Sequence, residues 1–93
     1  MVEQRALDAE REVRTTWERL DRARTAYEAV ESEVALAEES LRLTQAAFEV
    51  GQATWLDVEQ ARLSLTSAQT GRLTERMDRD LAAIDLLVAI GAL

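Results

Sequence analysis

The sequence contains no cysteine, histidine, lysine or proline, and only 3 glycines among its 93 residues. Without cysteine the chain forms no disulfide, and without cysteine or histidine it lacks the donors that zinc and related metals prefer. Carboxylates remain available to hard ions, but no Asp-x-Asp-x-Asp-Gly loop is present to bind one. We therefore expect no metal site and no cofactor. The absence of proline and the scarcity of glycine, with 47% hydrophobic residues, favour helix throughout.

The missing residue types also bear on catalysis. With no histidine, cysteine, lysine or phosphate-cradling glycine loop, a catalyst would have to use carboxylates alone. These carboxylates lie on helix faces that we expect to be solvated. We therefore predict that the chain is not an enzyme.

The charges are mixed along the chain. The net charge is −7, and all 11 cations are arginines interspersed among 18 acids, so the basic stripe that binds nucleic acid is missing. No run approaches the roughly 18 apolar residues of a membrane span, and the first residues form no apolar signal segment. We expect no contact with nucleic acid or with the membrane. Acids placed four residues before a base predict weak surface ion pairs at Glu10/Arg14, Glu18/Arg22, Glu38/Arg42 and Glu75/Arg79.

Two long helical stretches are separated by one break. Residues 3–49 contain no glycine or proline and residues 55–90 contain one glycine, so the chain should fold back at Gly51. We predict an all-α fold, a long antiparallel two-helix coiled-coil hairpin with helices at about 3–49 and 55–90 and a tight turn at 50–54. Residues 1–93 would form this single domain. Because each helix of a lone pair touches only one neighbour, the hairpin should complete its core against other chains or the rest of a longer protein.

Each helix carries two apolar stripes with the heptad spacing of helices that coil around one another. A helix with one stripe has one partner and a helix with two stripes has two, so the pattern indicates a layered or closed array of helices and predicts self-association. In the first helix the stripes are Val13, Trp17, Leu20, Ala23, Tyr27, Val30, Val34, Ala37, Leu41, Thr44 and Phe48, and beside them Ala29, Leu36, Leu43 and Val50. In the second helix they are Leu56, Leu63, Thr70, Met77, Ile84 and Gly91 with Leu73 and Leu87, and separately Val58, Ala61, Leu65 and Ala68.

The residues at the break fit a specific turn. Gly51 suits the left-handed position that closes a helix, where a side chain would clash. Thr54 suits the N-cap of the second helix, and Asp57 can reach back to the Thr54 amide and favours the positive end of the helix dipole. On the simplest interpretation these three residues only build the hairpin. Trp55 and Leu56 favour a further role, because exposed apolar groups at a loop often form a docking surface.

A longer pattern surrounds this turn. It comprises Phe48-Glu49-Val50-Gly51-x-x-Thr54-x-x-Asp57-Val58 with Ala61 and Ala68-Gln69, the approaching Ala9-Glu10-Arg11-Glu12-Val13-Arg14 and Ala37-Glu38-Glu39-Ser40-Leu41, and the closing Leu81-x5-Leu87-x3-Gly91-x-Leu93. This pattern resembles the repeat of TolC-like outer-membrane efflux proteins, and it is most similar to the C-terminal of the family's two repeats. The resemblance covers nearly the whole chain, and the turn with both flanks is its most specific part.

The resemblance implies that the chain is a periplasmic hairpin from a longer outer-membrane efflux channel. Members of the family are trimers whose twelve long helices form a hollow tube through the periplasm. The hairpin tip of the family docks against the α-helical hairpins of a periplasmic adaptor, or membrane fusion protein, in a tripartite export pump. By position, the adaptor-binding tip would be Val50, Gly51, Gln52, Ala53 and Thr54.

The resemblance also implies candidate pore or gate residues. Phe48 matches an aromatic residue and Asp57 an acid that help to constrict the periplasmic entrance. The channel that gives the family its name has a further acid where this chain has Gln60, and an arginine where this chain has Ala53. A gate of two acidic rings with arginine links therefore cannot be carried over, and capping alone would explain Asp57. The stripes by themselves fit equally well a generic coiled-coil module for protein interaction or oligomerisation, such as a dimeric four-helix bundle.

Overall fold

The computed structural model describes residues 2–91 and leaves residues 1, 92 and 93 undescribed. Two α-helices make up most of this range, α1 at Val2–Glu49 and α2 at Trp55–Gly91, and residues 2–91 contain no strand. The predicted all-α hairpin with a turn at 50–54 is confirmed. Each helix extends one residue beyond the predicted ranges of 3–49 and 55–90.

The chain forms two compact units. The tip unit is Glu28–Thr74 and contains the turn. The end unit contains residues up to Tyr27 and those from Glu75 onward. Each unit therefore draws on both helices and has its own contacts between them.

Contacts in each unit define the direction of the helices. In the end unit Arg19 pairs with Asp85 at 2.5 Å, and the Arg79 guanidinium lies 4.4 Å from the centroid of the Tyr27 ring. Residue numbers therefore rise along α1 as they fall along α2, which makes the helices antiparallel.

The tip unit shows the same direction. A methyl group of Val30 lies close to Gly71, 3.5 Å from where a Cβ atom at that position would be. The Phe48 ring lies against Trp55 beside the turn. The residue number thus rises along α1 from Val30 to Phe48 while the number of the facing residue on α2 falls, so the helices are antiparallel here as well.

α1 buries the longer of its two predicted stripes. Val30 and Val34 are buried, and the other inward positions are partly buried: Val13, Leu20, Ala23, Tyr27, Ala37, Leu41 and Thr44. Two predicted members of the stripe are wrong. Trp17 is exposed, with Thr16 partly buried instead, and Phe48 is exposed beside the turn. A seven-residue pattern cannot distinguish adjacent inward positions when both carry bulky or amphipathic side chains.

α2 buries the stripe that starts at Val58. Its inward positions alternate in steps of three and four: Val58, Ala61, Leu65, Ala68, Arg72, Glu75, Arg79, Ala82, Leu86 and Ala89. The sequence pattern follows this stripe only to Ala68, because the next three positions are charged. Arg79 is accommodated there because its guanidinium stacks on Tyr27 and bonds to Asp80 at 3.3 Å.

The other predicted stripe of each helix, which contains Leu36 on α1 and Leu63 on α2, is exposed. Leu36 on α1 and Leu63 on α2 show 72% and 69% of their surface, and the other large members of both stripes are exposed too. Among residues 2–91, seventeen large apolar side chains are exposed and six side chains are buried. The hairpin therefore leaves one apolar face of each helix without a partner in the described chain.

The surface ion pairs differ from those predicted by spacing. Arg42 bonds to Glu39 rather than Glu38, through Nε at 3.0 Å and through a second guanidinium nitrogen. Arg79 bonds to Asp80 rather than Glu75. The pairs expected at residues 10/14 and 18/22 are not among the ion pairs of the described residues. Exposed pairs of this kind contribute little stability, so the hairpin depends on its buried stripes.

Val34 gives a direct measure of that dependence. Val34→Ala removes two methyl groups from a side chain that is 2% exposed, and we expect the free energy of unfolding to fall by about 2 kcal/mol. Val50→Ala makes the same chemical change at a position that is 69% exposed, and should alter stability by less than about 0.5 kcal/mol. Urea unfolding followed by circular dichroism measures both. Equal losses for the two variants would contradict the assignment of the buried stripe.

Candidate functional site

The tip begins where α1 is closed by a two-bond cap. Gly51 has φ +77°, a left-handed conformation in which a side chain is strained. The Gly51 amide donates to the Phe48 carbonyl at 3.1 Å, and the Gln52 amide donates to the Ala47 carbonyl at 2.8 Å. These are the two bonds of a Schellman motif, and they satisfy carbonyl groups that the helix end would leave unpaired.

α2 starts with reciprocal bonds between Thr54 and Asp57. The Thr54 amide donates to Asp57 Oδ2 at 2.8 Å, and the Asp57 amide donates to Thr54 Oγ1 at 3.1 Å. This is a capping box with aspartate in place of the usual glutamate. The bond from the Thr54 backbone amide, and then the Thr54 hydroxyl, hold the pKa of Asp57 below its usual value. The predicted capping role of both residues is confirmed.

An apolar patch covers the outside of this turn. The Phe48 and Trp55 rings meet at a centroid distance of 6.1 Å and are tilted by 60°, which joins the last turn of α1 to the first residue of α2. Trp55 is 60% exposed, and Val50 and Leu56 are exposed as well. We call these four side chains the tip patch. The expectation that apolar groups beside the turn cannot all be buried within the hairpin is confirmed.

The charge around the tip patch has one sign. Arginine is absent between Arg42 and Arg62, and the acids in this interval are Glu49, Asp57 and Glu59. The tip is therefore an apolar surface bordered by negative charge, and a partner of opposite charge would meet no repulsion there.

Two open depressions that share Ser64 lie on the tip unit, and together we call them the groove. Their lining is mostly small or short: Ser40, Leu43, Thr44, Ala47, Ala53, Asp57, Gln60, Ala61 and Ser64 in one, and Val30, Glu33, Leu63, Ser64, Ser67, Ala68 and Gly71 in the other. Small side chains let another helix approach the backbone closely. Sequence reasoning missed this groove, although the seven-residue spacing of Ser64 and Gly71, and of Ser40 and Ala47, was a usable signal.

The predicted site residues therefore lie close together in the fold. Val50, Gly51, Gln52, Ala53 and Thr54 form the turn and its caps, and the candidate gate residues Phe48 and Asp57 lie on either side of it. Ala53 and Asp57 also line the groove. The geometry brings the predicted residues together at one end of the tip unit.

Metal ions and membranes were the two other kinds of partner for which the described residues could offer a site. Residues 2–91 hold no cluster of three or more acids positioned for a metal ion, and no helix in this range is long and apolar enough to cross a membrane. Comparison of the chain with models of protein families, with curated proteins and with solved structures finds no match. The arrangement can therefore be interpreted only from its own geometry, which is an exposed apolar patch beside a turn whose two helix ends are capped by hydrogen bonds.

Gly51 and Gly71 should respond in opposite ways to the same substitution. Gly51→Ala adds a side chain that meets no atom within 4 Å, so its cost is the left-handed backbone alone, about 1–2 kcal/mol. Gly71→Ala lies within α2, where its side chain would meet Val30 at an ordinary 3.5 Å, and should stabilise the hairpin by up to about 1 kcal/mol. Thermal and urea unfolding of both variants provide the test. A neutral Gly51→Ala would contradict the assigned turn.

The capping box of Thr54 and Asp57 also predicts that the stability of the fold depends on pH. Because the pKa of Asp57 is lower in the folded chain than in the unfolded chain, its stabilising effect is complete above the unfolded pKa and is lost as pH falls through the folded value. Asp57→Asn should therefore be less stable than the native chain at pH 7, and the difference should shrink on acidification below about pH 4. Unfolding curves from pH 7 to pH 3 measure this difference. A difference that stays constant over that range would argue against the lowered pKa.

Proposed function

We propose that the chain is a periplasmic helical hairpin of a TolC-like outer-membrane efflux channel, whose tip docks a periplasmic adaptor in a tripartite export pump. Its work is mechanical: the helices form part of a conduit wall, and the tip makes contact with the adaptor. Energy for transport would be supplied elsewhere in such a pump. The single observation that carries the proposal is the exposed tip patch on a turn closed by its own hydrogen bonds.

The turn supports this proposal because hydrogen bonds within the chain cap the helix end on each side of it. Gly51 is held by backbone bonds on one side, and Thr54 and Asp57 are held by the capping box on the other. A preorganised tip loses little conformational entropy when it docks, which favours binding through a small surface. Phe48 and Trp55 add a further contact across the turn.

The chemistry of the tip indicates what a docking partner should present. The exposed Val50, Trp55 and Leu56 require apolar side chains opposite them, and the surrounding acids favour arginine or lysine at the rim. The groove with its floor of small residues could receive one helix of a hairpin laid beside the tip. An adaptor hairpin of this composition would match the surface.

The gate function of Phe48 and Asp57 stays a prediction. Asp57 Oδ2 is occupied by the Thr54 amide, so part of its carboxylate serves the cap. The same side chain lines the groove and remains exposed, which is compatible with a second role in a channel entrance.

A second candidate function is a generic coiled-coil oligomerisation module. The exposed stripe of α2 favours this function, because its apolar side chains continue along the helix well away from the tip. The two candidates differ in the surface they require. A docking hairpin needs the tip patch, whereas an oligomerisation module needs only the stripes.

Adaptor binding can be tested with a matched pair of variants. Val50→Ser removes an exposed apolar side chain from the tip patch, and Val2→Ser makes the same change near the opposite end of α1. We expect Val50→Ser to weaken binding of an isolated adaptor hairpin about tenfold or more, and Val2→Ser to leave the Kd unchanged. Isothermal titration calorimetry gives both values. If Gly51→Leu, which should also distort the turn, and Val50→Ser both bind as the native chain does, tip docking is wrong.

A further inference from the structure

Three successive positions are charged in the stripe of α2 that packs against α1, its inner stripe. Arg72 is the last inner position of the tip unit, and Glu75 and Arg79 are the first two of the end unit. Apolar inner residues stop at Ala68 and resume at Ala82, about 21 Å further along the helix. A partly buried charged side chain extends its ionised group toward water, so these positions add little apolar burial between the helices.

The end unit buries little on either helix. Among residues 2–27 of α1 none is buried. The ion pair of Arg19 and Asp85 leaves 48% and 49% of the two side chains exposed, so water and salt weaken it. The Arg79 guanidinium over the Tyr27 ring adds a contact at a partly buried position. The buried side chains that α2 contributes to this unit are two alanines and one leucine: Ala82, Leu86 and Ala89.

The tip unit is held by larger buried side chains and by the turn. Val30, Val34 and Val58 are buried, and hydrogen bonds cap the helix end on each side of the turn. Because the turn joins the two helices through only a few residues, bringing them together here costs little loop entropy. An open tip unit with a closed end unit would instead enclose a long flexible loop, which is unfavourable.

We propose that the hairpin opens in two steps, and that in the first step α1 and α2 separate in the end unit while the tip unit stays folded. Partial opening of this kind begins where a fold has the least apolar burial. The charged positions Arg72, Glu75 and Arg79 limit the spread of the opening along α2. The turn and the tip patch keep their geometry during the first step, because all of their contacts lie within the tip unit.

This inference is independent of the proposed channel function. It requires neither adaptor binding nor association with another chain. Loss of adaptor binding in the tip variants would therefore leave it untouched, and a hairpin that opens as one unit would leave the docking proposal untouched.

The first experiment measures hydrogen–deuterium exchange at each backbone amide of the native 93-residue chain by NMR in dilute solution. After correction for intrinsic rates, amides at 16–24 and 78–84 in the end unit should exchange about tenfold or more faster than amides at 30–38 and 61–68 in the tip unit. Equal protection in the two units would overturn the proposal. A gradual decline toward the helix ends, with no step in α2 between Ala68 and Ala82, would also overturn it, because fraying alone gives that pattern.

A matched pair of variants tests the role of the charged positions. Arg72→Leu/Glu75→Leu makes two partly buried inner positions apolar, and Arg76→Leu/Asp78→Leu makes a similar change at two exposed neighbours. Both variants keep the net charge of the chain. The inner variant should reduce the difference in exchange between the units to about threefold or less, and the control should retain the native difference. An inner variant that keeps the native difference, or a control that removes it, would overturn the proposal.

The two tryptophans give a second readout, because Trp17 lies in the end unit and Trp55 in the tip unit. Trp55→Phe leaves Trp17 as the only tryptophan, and Trp17→Phe leaves Trp55. In urea, the fluorescence of Trp17 should change at a lower concentration than that of Trp55, by about 0.5 M or more. Coincident transitions in the two variants would show a single cooperative unit and overturn the proposal.

Discussion

Two helices packed against each other can bury only one face of each, and this constraint determines the character of the molecule. Val34 and Val58 are almost fully buried between the helices, while Leu36 and Leu63, only two and five residues away, are mostly exposed. Each helix also carries large apolar side chains on a second face, so the chain retains apolar surface that it does not bury. The hairpin thus presents exposed apolar surface on its outer faces and at its tip, and the proposed interactions depend on this surface.

The turn and its tip patch share residues but have separate physical requirements. Gly51, Thr54 and Asp57 satisfy backbone groups at the helix ends, and their hydrogen bonds would be needed in any hairpin of this form. Trp55 and Val50 are not required for capping, and both are mostly exposed to solvent; Trp55 contacts the Phe48 ring, which is itself exposed. The excess of apolar surface over what the fold needs is the argument for a docking function, and it does not depend on the resemblance to efflux proteins.

Much of this fold was predictable from the sequence because local rules agree with one another. Gly51 and Thr54 mark the turn to within a residue, and the heptad spacing identifies the buried valines of α1. The inner stripe of α2 could not be followed past Ala68, since the charged Arg79 is partly buried against α1, where its guanidinium lies over the Tyr27 ring. A contact between residues that distant in sequence leaves no trace in the local pattern. The groove of the tip unit was missed for a related reason: small side chains give no hydrophobic signal until a structure shows the space beside them.

The caps at the turn have a consequence for how the chain folds. All of their hydrogen bonds join residues between Ala47 and Val58, so the turn can close with little loss of loop entropy before distant parts of the helices meet. Once it is closed, each further contact between α1 and α2 extends an existing one by a few residues. Contacts nearest the bend therefore cost the least loop-closure entropy to form, which favours folding that starts at the bend and extends along the helices.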